Sequence, residues 1–177
     1  MSLTKRLLTY CLLAHCLAPF AAFGDGTFRM LDLSEVAGMG FADESGYDGK
    51  GGWFDQGPKS DLSGFPTGEV ALAGVKFLVA DPDKNAGKAA VVLAGSERQW
   101  LPQSVSIGLD EPFTGNYLYL LHGEGWLPSK GIQIGSITFL YADGSQSVQT
   151  VVSGRDASDW WNAADLENGV VAWTKSA

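Results

Sequence analysis

The chain has 177 residues, 45% hydrophobic and 18% charged, with 23 glycines and six tryptophans. The apolar content argues against disorder, the glycine and tryptophan counts against a helical bundle, and the length suits one domain. Twelve basic residues against 20 acidic ones give a formal charge of -8, and with no basic stripe this argues against nucleic acid and anionic membranes as partners.

Residues 1–24 read as a secretory signal. Lys5 and Arg6 form a basic start, residues 7–23 an apolar run, and Ala18, Ala21 and Ala22 supply small residues near a cut. His15 and Pro19 interrupt the run, which is short for a membrane span. Cleavage near Gly24 leaves about 153 residues, a single domain over 25–177 that is secreted or periplasmic. Both cysteines, Cys11 and Cys16, leave with the signal, so disulfides and thiolate chemistry drop out. The mature chain keeps 10 basic and 20 acidic residues and one histidine, His122. Such a chain suits a neutral or cationic partner, a neutral sugar polymer among them.

Along the mature chain, short β-rich runs alternate with turn residues, and no window holds the spacing of an amphipathic helix. Strands are expected at 28–33, at 70–80 with a break at Gly74, and at 89–94. Further strands are expected at 103–109, 117–122, 132–141 and 147–152, and a last one starts at 169–173. Asp143-Gly144 between two of them is a hairpin signal. Residues 38–68 hold nine glycines and two prolines, so this stretch is a long loop, either ordered or disordered. About eight short strands with frequent turns predict an antiparallel β-sandwich or barrel.

Three groups of residues carry chemistry. Asp48, Asp55, Asp61 and Gln56 surround Trp53 in the glycine-rich loop. Oxygen donors on a flexible backbone suit a structural Ca2+; a solvated turn with Trp53 plugging the end of the fold is the plainer account. Asp81, Asp83 and Asn85 imitate the start of a calcium loop, but Ala86 and Val92 occupy its glycine and glutamate positions, so a turn is expected there. Arg155, Asp156, Asp159, Trp160 and Trp161 combine flat aromatic faces with planar hydrogen-bonding groups, the chemistry a pyranose needs. An Arg155–Asp156 or Arg155–Asp159 ion pair with one tryptophan in the core is the structural account of the same residues. His122 and Trp126 follow a buried-looking strand and can face the same ligand. A single mature histidine excludes a multi-histidine metal site within one chain. No hydrolase elbow, zinc-protease, phosphate-loop or dinucleotide motif is present, which argues against an enzyme.

The segments GFADE at 40–44, DGKGGWFDQGPKSDL at 48–62, FPTG at 65–68, LYLLH at 118–122 and GRDASDWW at 154–161 resemble, in that order, a galactose-binding-like β-sandwich of secreted bacterial carbohydrate-active proteins. The resemblance spans roughly residues 27–174 and implies an all-β antiparallel jelly roll. The family pattern continues beyond Trp173, so the sandwich is expected to lack its last strands. The combined expectation is a secreted, non-catalytic carbohydrate-binding module with Trp126, Trp160, Trp161, Arg155, Asp156 and His122 at the sugar. The alternatives are an interaction module that pairs its open edge with a partner chain, and a small polysaccharide-active enzyme.

Overall fold

The computed structural model describes residues 28–126 and 128–175; the signal expected at 1–24, with Cys11 and Cys16, lies outside them. The described chain contains β-strands, two short 3-10 turns (Ser34–Val36 and Pro82–Lys84) and no α-helix. The strands are β1 (Gly68–Leu72), β2 (Val75–Val79), β3 (Gln133–Leu140) and β4 (Gln146–Val152). They form two antiparallel hairpins, β1–β2 and β3–β4. Among the described residues no helix is long and apolar enough to cross a membrane.

The run expected as one broken strand at 70–80 is a hairpin. Leu72 pairs with Val75 across a two-residue turn. Ala73 and Gly74 both take positive φ, 47° and 79°, the primed turn that matches strand twist. The second hairpin follows the Asp-Gly signal. Tyr141 N–H donates to the Ser145 carbonyl at 2.9 Å, and Asp143 Oδ1 accepts from Ser145 N–H at 2.8 Å. An irregularity between Gln133 and Gly135 lets Ile134 turn inward to meet Val151 and Ala157. The two hairpins thus bury their faces in separate clusters.

The larger cluster is built mainly from the glycine-rich loop, which is ordered. Trp53 and Phe54 are fully buried there with Met39, Phe41, Leu62 and Phe65. Residues 89–94, expected as a strand, contribute a short bridge instead. Met39 N–H donates to the Ala90 carbonyl at 3.1 Å, and Ala90 N–H returns a bond to the Met39 carbonyl at 2.9 Å. Gly52 is required because a Cβ there would run into the Ala42 carbonyl, beside the point where Trp53 N–H donates to the Gly40 carbonyl at 2.7 Å.

Four further strand expectations are corrected. Residues 28–33 lead into a 3-10 turn and join no ladder. Residues 103–109 and 117–122 form no strand, and 169–173 carry only isolated bridges. Alternation alone does not make a strand: Ile107 and Leu109 are 45% and 46% exposed, so no partner face rewards the pattern.

The β1–β2 turn carries a removable strain. Alanine at positive φ is disfavoured, whereas asparagine tolerates it. Ala73→Asn should raise stability by about 0.5–1 kcal/mol, read as a higher urea midpoint at unchanged slope. A lower midpoint would contradict the turn assignment.

Candidate functional site

Among the described residues, four of the six non-glycine residues at positive φ gather in one region: Tyr47 (65°), Trp53 (52°), Asp55 (56°) and Trp126 (52°). Such backbone is unfavourable by about 1–2 kcal/mol per residue and persists only where the surroundings over-determine it. Arg98 supplies much of that constraint. Its side chain is buried, and Nε donates to the Phe54 carbonyl at 3.0 Å. Its two terminal nitrogens donate to the Asp55 carbonyl at 2.9 Å and the Glu97 carbonyl at 3.0 Å. The guanidinium lies over the rings of Tyr47 (5.0 Å) and Trp126 (4.6 Å), a favourable cation–π arrangement. The Asp55 carboxylate, 3.7 Å from Nε, balances its charge.

Aspartates secure the rest of the loop. Asp55 accepts from the N–H groups of Asp48 and Gly49, both at 3.2 Å. Asp43 accepts from Gly57 N–H at 2.5 Å. Asp61 accepts from Asp43 N–H at 3.1 Å, Ser63 N–H at 3.0 Å and the Lys175 ammonium at 3.0 Å. Burial works to raise the Asp61 carboxyl, but the hydrogen bonds from Ser63 and Lys175 outweigh it and hold the group below the usual range. Asp48 is exposed and accepts from Lys50 N–H at 2.8 Å. Asp48, Asp55 and Asp61 are therefore turned to different sets of donors. Among the described residues no three His, Cys, Asp or Glu side chains are gathered as for a metal ion. The expectation of a structural Ca2+ rests on the composition of the loop and gains nothing from this arrangement.

A row of rings in mostly edge-on contact runs outward from the core. Phe54 meets Trp126 at 5.4 Å and Trp160 at 5.6 Å, and Trp160 meets Trp53 at 5.8 Å and Trp161 at 5.3 Å. Gly125 permits the contact, since a Cβ there would come within 3.1 Å of the Phe54 ring. Trp126, Trp160 and Trp161 line one hollow of about 290 Å3 together with Gly125, Gln56, Ser60 and Asp159. Trp161 is 59% and Trp126 37% exposed. Two backbone bonds fasten the 153–161 loop to the strand-like stretch at 124: Glu124 N–H to the Ser158 carbonyl at 2.9 Å, and Trp160 N–H to the Glu124 carbonyl at 3.1 Å. Asp159 Oδ1 accepts from the Trp161 backbone N–H at 3.0 Å, which fixes the backbone that carries the outer indole.

Of the expected sugar residues, the three tryptophans come together. Arg155 and Asp156 do not line the hollow. They pair with each other in a bidentate clasp of 2.9 and 2.6 Å, and Asn168 joins Asp156 at 2.6 Å. Burial tends to raise the Asp156 carboxyl, but Arg155 and Asn168 prevail and hold it below the usual range. His122 is buried, and desolvation lowers it to about 4, against a smaller opposing pull from Asp156. Sequence reasoning did not find Arg98, Tyr47, Ser60 or Glu124 as site residues, and it placed Gln56 among the calcium donors and not at the sugar. The loop around 56–60 meets the 159–161 loop only in three dimensions.

Glu124 is also buried, 1% exposed. Ser153 Oγ donates to Oε1 at 2.7 Å, while Oε2 has no hydrogen-bond partner. Burial, aided by the Asp159 charge and opposed by the Ser153 bond, pushes its pKa up to about 7. No protein-family model, curated protein or solved structure matches the chain.

Two outcomes follow from this geometry. Trp161→Ala should leave stability within about 0.5 kcal/mol, since it lies at the surface, whereas Trp160→Ala should lower it by about 3 kcal/mol through loss of packing on Trp53 and Phe54. Equal losses in denaturant titrations would contradict the assignment of one inner and one outer indole.

The second outcome concerns pH. Glu124, raised from 4.5 to about 7, loses its stabilising contribution as pH rises through that range. His122, lowered from 6.5 to about 4, loses its contribution as pH falls through its own. Between these limits the native chain carries one proton on Glu124 and the unfolded chain one on His122, so the slopes cancel. Glu124→Gln leaves the His122 slope unopposed, and stability should then climb by about 1.5–2 kcal/mol on raising pH from about 5, above the range in which Asp61 and Asp156 titrate, to 6.5. A variant as flat as the wild type in denaturation across this range would show that the two groups do not hold these protonation states.

Proposed function

We propose that the chain is a secreted, non-catalytic carbohydrate-binding module on a β-sandwich of the galactose-binding-like kind, and that the tryptophan hollow is its sugar site. The observation that carries this reading is the convergence of Trp126, Trp160 and Trp161 on one concavity with Gln56, Ser60 and Asp159. Indole faces cover the C–H side of a pyranose, and the amide, hydroxyl and carboxylate serve its hydroxyl groups. The rigid rear wall of Phe54, Trp53 and Arg98 keeps the platforms in place before a ligand arrives, which limits the ordering needed on binding. Each platform contributes about 1 kcal/mol, so a single site binds weakly and gains from avidity.

A second reading has an observation of its own. Among the described residues neither edge of β3–β4 is joined by a further strand, and Leu140 and Val148 on it are exposed. An interaction module that adds a strand from a partner chain would use this edge.

Tryptophan fluorescence titrated with a panel of soluble oligosaccharides separates the readings. The sugar reading expects a saturable change with at least one glycan, lost in Trp161→Ala. No response across the panel, with a concentration-dependent dimer in sedimentation, would favour strand addition. Release of reducing ends from the same panel would contradict a non-catalytic role.

A further inference from the structure

The charge around the hollow narrows the ligand, if the sugar reading is granted. Among the described residues, Asp159 is the only ionisable side chain in the lining. One of its oxygens is engaged by Trp161 N–H; the other accepts no hydrogen bond among the described residues and is open to a ligand. No described lysine or arginine lines the hollow. Arg98, the nearest buried cation to the indole row, has Nε and both terminal nitrogens engaged by the carbonyls of Phe54, Glu97 and Asp55, and its charge is met by the Asp55 carboxylate. An acidic sugar therefore meets a carboxylate and finds no free cationic donor in the lining. A protonated amine meets the reverse: a carboxylate oxygen to accept its N–H, and indole rings whose negative faces attract a cation. Arg98 already uses the ring of Trp126, which leaves Trp160 and Trp161 as the platforms for the incoming charge. The whole chain, at -8, adds a field of the sign that draws cations in. The hollow, at about 290 Å3, lies at the small end of ligand sites and suits one ring of a polymer.

We propose that the hollow selects an amino sugar bearing a free ammonium group, held between Asp159 and the indoles of Trp160 and Trp161, over the neutral and acidic counterparts of the same ring.

The inference rests on the sugar reading, and the test separates the two. The full chain is titrated by calorimetry with four tetrasaccharides: of glucosamine, of N-acetylglucosamine, of glucose and of galacturonic acid. The solution is held at about pH 5.5, where free amines are protonated. The glucosamine tetramer should bind about tenfold tighter than its acetylated form, the scale of one half-exposed ion pair with a cation–π contact. Asp159→Asn should lower the affinity for the glucosamine tetramer about tenfold; asparagine keeps the oxygen that Trp161 N–H needs, and a near-UV spectrum unchanged from wild type confirms the fold. Raising the ionic strength of the wild-type titration should weaken the glucosamine tetramer and leave the glucose tetramer unmoved. Equal binding of the amine and acetyl forms, or tighter binding of the galacturonate, overturns the ammonium proposal and leaves the sugar site standing. Silence from all four tetramers, with a saturable response to another neutral glycan, also overturns it. Silence from every glycan overturns both.

Discussion

The Arg98 guanidinium, buried between two rings and three carbonyls, is the interaction on which the rest of the indole row depends. It holds the Phe54 and Asp55 carbonyls in a turn whose flanking residues take unfavourable backbone angles. Phe54 then carries the contacts to both Trp126 and Trp160. A buried charge is tolerable only when its donors are met and an opposite charge is near, and both conditions hold here. Breaking such an arrangement by removing one partner is commonly unfavourable by about 3–5 kcal/mol, because the other charge stays behind in a low-dielectric setting. Lysine offers no fork to meet three carbonyls at once, so the charge alone does not explain the residue.

The glycine-rich loop meets the same demand by other means. A buried segment without a ladder must still satisfy its N–H groups. Asp43, Asp55 and Asp61 do this with carboxylate oxygens aimed at backbone donors. These charge-assisted bonds are the stronger sort, and they replace the sheet that the loop does not form. The result is a core built largely by irregular chain, with the two hairpins attached to it and the opening of the hollow at its edge.

Burial sets the ionisation around the hollow as well. Glu124 and His122 are both held neutral by desolvation near mid-acid pH. The Arg155–Asp156 clasp remains ionic because its partners are close and partly solvated. Three acid–base behaviours within one short stretch of fold follow from exposure and partner, which residue type does not encode. The clasp also explains why Arg155 and Asp156, sound candidates for a sugar by chemistry, face each other instead: a bidentate pair satisfies both groups without a ligand.

Local chemistry was legible in the chain itself. Asp143-Gly144 specified a turn, and the strands on either side followed, because positive φ at glycine is a backbone preference that needs no distant partner. The absence of an α-helix among the described residues was legible for the same reason, since apolar spacing is local. The gathering of Trp126 with Trp160 and Trp161 was foreshadowed by residue type alone. Only the tertiary structure decided which indole faces water, that Gln56 and Ser60 complete the hollow, and that Arg98 stands behind it. It also decided that the alternating residues of 103–109 gain no ladder. Each of these depends on contacts between segments distant along the chain, and burial, unlike turn geometry, is a property of the partner as much as of the residue.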